Sequence, residues 1–127
     1  MTISIDHVAI FVRDLEAMRT FYETYFGATS NEEYHNPRTG LRTYFLSFDG
    51  TSRLELMTRP DKHTARGTDD IGWAHTAFSL GSAEAVDRLA QRLREDGFSV
   101  TDPRTTGDGY YEAVVIDPEG NQIEITV

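Results

Sequence analysis

The chain repeats one pattern of strand and helix, and this duplication limits its possible folds more than any other feature. The run His7–Val12 has a counterpart in His75–Leu80, 68 residues further along. Each run leads into a helix signal, because Asp14 and Ser82 can each accept a hydrogen bond from an orphan backbone N–H at a helix start. Internal repeats of this kind indicate repeated structural modules.

Each predicted helix is followed by a glycine, Gly27 or Gly97, that suits the turn after its last residue. The pattern then changes to the period of two that is typical of strands. We therefore predict an α+β fold of two tandem βαβββ modules. The predicted modules span residues 1–58 and 73–127, and the polar linker with glycine and proline spans 59–72.

Composition excludes several classes of protein. The 127 residues carry a formal charge of −9, which argues against nucleic acid and anionic membrane surfaces as partners. The absence of cysteine excludes disulfides, thiolate metal sites and cysteine nucleophiles. No apolar run approaches the roughly 18 residues that suggest a membrane span. We expect a cytoplasmic protein.

Both predicted modules carry a histidine on their first strand and a glutamate on their last strand. The pairs are His7 with Glu55 and His75 with Glu124, separated by 48 and 49 residues. Strand alternation places each of these side chains on the face opposite the aliphatic residues of its strand. Two imidazoles and two carboxylates suit one divalent ion such as Ni²⁺, Zn²⁺, Co²⁺, Mn²⁺ or Fe²⁺.

A single histidine on an apolar strand is more often a packed residue than a ligand. For the symmetric set of four we favour a ligand role instead, because burying an unpaired carboxylate on an apolar face is energetically unfavourable. His35 and His63 lie in turn-like surroundings, so we predict no ligand role for them.

Several motifs along the chain match one known family. The sequence resembles the vicinal oxygen chelate superfamily, which includes glyoxalase I, extradiol dioxygenases and bleomycin-resistance proteins. In that family, paired modules form a curved mixed sheet around a metal cavity, and two chains commonly associate, so the resemblance implies a homodimer. The matching runs are Ile5–Ile10, Phe21–Gly27, Leu54–Leu56, Ala74–Phe78 and Asp117–Glu124.

The resemblance also implies a metal site and an activity. His7, Glu55, His75 and Glu124 match the His-Glu-His-Glu ligand set of bacterial glyoxalase I. The implied chemistry is that of an isomerase or lyase acting on a hemithioacetal or α-hydroxycarbonyl through a metal-bound enediolate. Glu124 is the expected general base, with Glu55 as the symmetric alternative.

Two positions depart from glyoxalase I, which has an arginine and an asparagine there that help to bind glutathione. This chain has Phe11 and Arg59 instead. Phe11 cannot pair with a carboxylate, so we expect a cosubstrate other than glutathione. Trp73, Tyr110 and Tyr111 are further candidates for contacts with the substrate.

Two alternatives stay open at this point. Extradiol dioxygenases hold Fe(II) with two histidines and one glutamate, which His7, His75 and Glu124 match, although Glu55 would then close a site needed by substrate or O₂. Bleomycin-resistance proteins have no metal of their own and bind a cationic drug, which the charge of −9 would suit.

Overall fold

The chain comprises two compact units, residues 1–65 and 66–127. The computed structural model describes residues 1–67 and 69–127; Thr68, within the predicted linker, lies outside the described residues. Each unit contains one helix and one mixed sheet, which confirms the α+β prediction. The strands are paired in two mixed sheets, one in each unit, and in each sheet the first and last strands of the unit are parallel neighbours.

The N-terminal unit is a sheet of five strands with one helix. Its strand order is β1-β5-β4-β2, with β3 also paired to β4. Strands β1 and β5 are parallel, and the other pairs are antiparallel. In chain order its elements are β1 Val8–Phe11, α1 Leu15–Phe26, β2 Thr29–Ser30, β3 Tyr34–Asn36, β4 Leu41–Ser47 and β5 Arg53–Thr58.

The C-terminal unit repeats this arrangement with four strands. Its order is β6-β9-β8-β7, with β6 and β9 parallel. In both units the first strand lies at one edge of the sheet, the last strand lies next to it, and the preceding strand follows. The N-terminal unit differs only by one additional short strand. The elements of the C-terminal unit are β6 Thr76–Ser79, α2 Ala83–Glu95, β7 Arg104–Thr105, β8 Tyr111–Ile116 and β9 Gln122–Thr126.

The helices begin at the predicted residues. The Asp14 side chain accepts a hydrogen bond from the Ala17 N–H at 3.0 Å, and Ser82 accepts one from the Ala85 N–H at 3.2 Å. Gly27 follows α1 with φ of 64°, a conformation that favours glycine. These caps fix where each helix starts on its sheet.

Each unit has its own apolar core between helix and sheet. Exposure falls along the start of the N-terminal unit: Val8 on edge strand β1 is 37% exposed, whereas Val12, which follows β1, is 3% exposed. The most buried side chains are Met18, Leu46 and Leu56 in the N-terminal unit and Val86, Leu93, Val115, Ile123 and Ile125 in the C-terminal unit.

None of the helices in the two described stretches is long and apolar enough to cross a membrane.

Candidate metal-binding pairs

The first predicted pair is brought together by two parallel strands. His7 lies directly before β1, and Glu55 lies in β5 opposite Ala9, two residues beyond His7. The His7 Nε2 and Glu55 Oε1 atoms are 3.5 Å apart. The histidine side chain is 35% exposed and the glutamate 16%, so the pair is accessible but partly shielded from solvent.

The second nitrogen of the His7 ring is held by its neighbour in the sequence. Nδ1 lies 2.7 Å from Asp6 Oδ2, and that oxygen also accepts a hydrogen bond from Arg53 at 2.6 Å. These bonds, the one with His7 first, hold the pKa of Asp6 below its usual value. A carboxylate in this position orients an imidazole and directs its other nitrogen toward a metal. Sequence reasoning did not assign this role to Asp6.

The second predicted pair has the same construction. His75 lies directly before β6, and Glu124 lies in β9 opposite Ala77, again two residues beyond the histidine. The His75 Nε2 and Glu124 Oε1 atoms are 3.2 Å apart, and the side chains of His75 and Glu124 are 36% and 20% exposed. The sequence repeat therefore extends to the strand register and to the solvent exposure of the pair.

The donor atoms of each pair fit a divalent ion. Metal–nitrogen and metal–oxygen bonds of about 2.0–2.2 Å put neighbouring ligand atoms about 3.0–3.4 Å apart, close to both separations. Among residues 1–67 and 69–127, no three His, Asp or Glu side chains converge in a ligating geometry. Each unit thus presents two candidate ligands, and the set of four stays a prediction.

A further carboxylate, Glu112, lies beside the second pair. It is on β8, where Val114 pairs with Glu124, so strand alternation puts Glu112 on the same face as Glu124. Burial, followed by a hydrogen bond with Glu124 and the charge of that residue, raises the pKa of Glu112. The alternation of β8 would have revealed this residue from the sequence.

The turn before β9 has a structural role. Asp117 is buried, and its Oδ1 accepts hydrogen bonds from the backbone N–H groups of Glu119 and Asn121 at 2.9 and 2.8 Å. Burial raises the pKa of Asp117 in spite of these bonds. The turn closes the β8–β9 hairpin and so sets the register in which Glu124 is presented.

Two predicted substrate contacts lie at the opposite end of β1 and β5 from the first pair. Phe11 ends β1, is 42% exposed and has the Lys62 ammonium group 5.2 Å from its ring centre. Arg59 follows β5 and donates two hydrogen bonds to the carboxylate of Asp61. Within the described part of the chain, neither residue forms a hydrogen bond or an ion pair with His7 or Glu55.

The predicted contacts of the C-terminal unit are dispersed. Trp73 is 93% exposed in the segment before β6, and Tyr110 is 55% exposed before β8. The Tyr111 hydroxyl donates to Asp87 of α2, which places this ring on the helix side of the sheet, away from Glu124. A role in binding substrate stays a prediction for all three residues.

Comparisons with known proteins agree on the family. Residues 4–125 match the model of the glyoxalase/bleomycin resistance protein/dioxygenase superfamily. The uncharacterized protein PA2024 of Pseudomonas aeruginosa is 30% identical over 99% of this chain and 89% of its own length. A glyoxalase family protein from Enterococcus faecalis is 27% identical with a TM-score of 0.81, covering 98% of this chain and 97% of its own. A possible glyoxalase from Bacillus cereus is 28% identical with a TM-score of 0.75, covering 99% and 100%.

Proposed function

The chain belongs to the glyoxalase/bleomycin resistance protein/dioxygenase superfamily, and from that premise we propose that it is a divalent-metal-dependent enzyme. The proposed activity is glyoxalase-like isomerisation or lyase chemistry on a small substrate with vicinal oxygens. We further propose that the protein works as a homodimer.

The observation that carries this proposal is the duplicated pair. Each unit holds a histidine nitrogen and a glutamate oxygen 3.2–3.5 Å apart, in the same parallel register and with nearly the same exposure. Histidines that were merely packed or solvated would not be expected to match in distance, register and exposure. A shared chemical role in the two units explains this match.

The proposed ligands are His7, Glu55, His75 and Glu124. Their nitrogen and oxygen donors suit Ni²⁺, Zn²⁺, Co²⁺, Mn²⁺ or Fe²⁺. When bound, such an ion acts as a Lewis acid that stabilises negative charge developing on two adjacent substrate oxygens. Asp6 would keep the His7 ring oriented for this role.

The proton transfer is assigned to a carboxylate of the chain. Glu124 takes the proton from the carbon beside the substrate carbonyl and returns it to the adjacent carbon, so the isomerisation neither gains nor loses atoms. Glu55 is the symmetric alternative. Glu112 lies beside Glu124, and a hydrogen bond between the two carboxyl groups contributes to the raised pKa of Glu112.

The cosubstrate is proposed to differ from glutathione. Phe11 offers an exposed ring rather than a cation at the position where glyoxalase I has an arginine. A thiol without a carboxylate near this position, or a simple α-hydroxycarbonyl, would suit an aromatic contact better.

Elemental analysis and a substrate panel test this proposal. We expect close to stoichiometric divalent metal and turnover of methylglyoxal with at least one of several thiols. Glu124→Gln should abolish turnover and weaken metal binding, whereas Glu32→Gln, which changes an exposed carboxylate, should alter neither.

The same measurements separate the alternatives. Unchanged metal content and rate in Glu124→Gln would refute the site. Catechol cleavage with Fe(II) that is lost with Ni²⁺ would identify a dioxygenase instead. A protein with no bound divalent ion and no affinity for one would exclude both enzymes in favour of a binding protein.

A further inference from the structure

The N-terminal unit contains a basic cavity that none of the four proposed metal ligands lines. Its volume is about 400 Å³, and the described residues that line it include five basic side chains and no acidic one. We propose that this cavity binds the phosphoryl group of a small organic phosphate. The basic residues are Arg13, Arg42, Arg59, Lys62 and His63.

The cavity extends onto the helix side of the sheet, opposite the face that carries the first His–Glu pair. Arg42 pairs with Thr58 in the β4–β5 register, and both line the cavity. Arg42 and Tyr44 are two residues apart in β4, so their side chains lie on the same face of the sheet. Both side chains approach Glu16 on helix α1. Glu55 lies on the other face of β5, because it is three residues from Thr58 along the strand. The four proposed metal ligands therefore do not line the phosphate cavity.

Two turns hold the cavity walls together. Gly40 ends the β3–β4 turn with φ of 77°, and a Cβ there would lie 2.8 Å from Pro60 Cδ. Pro60 belongs to a turn closed by a hydrogen bond of 3.0 Å from the Lys62 N–H to the Arg59 carbonyl. Only glycine permits this approach, which brings the basic side chains of both segments to one place.

Two of the arginines are already oriented. Arg42 donates bidentate hydrogen bonds of 2.8 and 2.7 Å to Glu33, and Arg59 donates two of 3.0 Å to Asp61. A guanidinium group has five N–H donors, so each arginine keeps donors for a ligand. Fixed guanidinium groups lose less side-chain freedom on binding an oxyanion.

Two further cations, Arg13 and Lys62, line the cavity. Arg13 donates to the His63 carbonyl at 3.2 Å and so ties the β1–α1 connection to the segment after β5. The ammonium group of Lys62, the single lysine of the chain, lies 4.0 Å from Asp61 and 5.2 Å from the Phe11 ring centre. Several convergent cations match a dianion with three acceptor oxygens better than a carboxylate.

The size of the cavity indicates the rest of the ligand. A volume of about 400 Å³ lies within the range of small-molecule sites and leaves space beyond one phosphoryl group. Phe11 and Pro60 offer apolar surface next to the cations. A phosphate monoester with a small apolar or aromatic part therefore fits the cavity best.

Calorimetric titration of the full chain tests this inference, with inorganic phosphate, phenyl phosphate and benzoate as probes and EDTA present. We expect one phenyl phosphate per chain, bound more tightly than inorganic phosphate and at least tenfold more tightly than benzoate. Lys62→Gln and Arg13→Gln should each weaken phenyl phosphate binding about tenfold or more. Arg104→Gln, an equal change of charge at an exposed residue of the C-terminal unit, should leave it unchanged.

The outcomes distinguish this site from the proposed metal centre. Phosphate binding that persists in Glu55→Gln and Glu124→Gln supports a separate site, even if the chain proves to have no metal. Binding that is lost in Glu55→Gln but kept in Lys62→Gln would overturn the inference. So would the absence of saturable binding to the wild-type chain, equal affinity for benzoate, or equal weakening by Arg104→Gln. Circular dichroism spectra would show that the variants keep the wild-type fold.

Discussion

At the scale of single residues, Tyr44 shows how one hydrogen bond makes stability depend on pH. The buried phenol donates to Glu16 Oε1 at 2.6 Å, and this bond, with burial and the charge of Glu16, raises the pKa of Tyr44 to about 12. An acid whose pKa is raised by folding stabilises the folded state fully below its unfolded pKa, near 10 for tyrosine. That contribution is lost as the pH rises from about 10 towards 12.

We therefore expect the free energy of unfolding of the wild type to fall more steeply between pH 9.5 and 11.5 than that of Tyr44→Phe. Guanidinium denaturation at fixed pH values measures this difference. Tyr110→Phe, which alters a 55% exposed ring, should follow the wild type. Parallel pH curves for Tyr44→Phe and the wild type would contradict the assigned hydrogen bond.

Glu112 provides a second test at this scale. Because Glu124 contributes to the raised pKa of Glu112, Glu124→Gln should lower that pKa while burial keeps it above the usual value. Carbon-detected NMR of the Glu112 carboxyl measures the change. Glu95→Gln on α2, where Glu95 accepts a hydrogen bond from Gln91, is the control and should leave the titration as it was. A pKa of Glu112 that does not move in Glu124→Gln would disprove the contact.

The residues of the two pairs could be predicted because a repeat carries its polar exceptions with it. Glu112 and Asp6 were missed, since each is a single acidic residue whose role depends on a neighbour across a strand or beside it in the chain. Tyr111 is predicted as a substrate contact from its aromatic character, and a sequence pattern alone does not reveal the hydrogen bond from its hydroxyl to Asp87. The direction of a side chain is set by register, which composition does not reveal.

At the scale of elements, the helix caps are the local features most easily predicted from the sequence. Ser82 accepts a hydrogen bond from the Ala85 N–H and so satisfies one orphan donor of α2. Ser82→Ala should lower the free energy of unfolding by about 1 kcal/mol, because that donor then lacks its partner. Urea denaturation measures the loss, and Ser82→Asp should retain most of the stability. Equal destabilisation by both substitutions would show that the cap is not the cause.

Packing of the helix on its sheet is a larger contribution. Leu93 is fully buried on the inner face of α2, so Leu93→Ala should lower the free energy of unfolding by about 2–5 kcal/mol. Leu89→Ala, on the same helix but only half-buried, should cost less when measured in the same urea experiment. A smaller loss for Leu93→Ala than for Leu89→Ala would contradict the described packing.

Element ends were predicted less well for strands than for helices. The helix starts depend on local capping and were correct, whereas β1 spans Val8–Phe11 rather than His7–Val12. The short strands β2 and β3 follow from pairing with β4, a contact across the sheet that local periodicity does not record. Strand boundaries are thus properties of the pairing partner as much as of the strand itself.

At the scale of the whole molecule, charge is shared unequally between the units. Residues 1–65 contain seven basic and nine acidic side chains, whereas residues 66–127 contain five basic and twelve acidic ones. Four of the seven lysine and arginine residues of the N-terminal unit line one cavity. The acidic excess therefore belongs mainly to the C-terminal unit.

Repulsion among these carboxylates should make thermal stability depend on salt. The melting temperature at neutral pH should rise between about 20 and 300 mM NaCl, because salt screens like charges. Near the isoelectric point of about 4.7 the increase should shrink, which provides the control. A melting temperature that falls with salt at neutral pH would mean that attractive ion pairs such as Arg42–Glu33 outweigh the repulsion.

Every strand pairs within its own unit, and this bears on how such a chain could arise. Since β1 pairs with β5 and β6 with β9, a gene segment encoding about sixty residues carries a complete sheet, a capped helix and a His–Glu pair together. A single duplication event then transmits all three at once. Later mutation can make one copy strongly acidic and give the other a basic cavity, while the inherited pair stays the same in both.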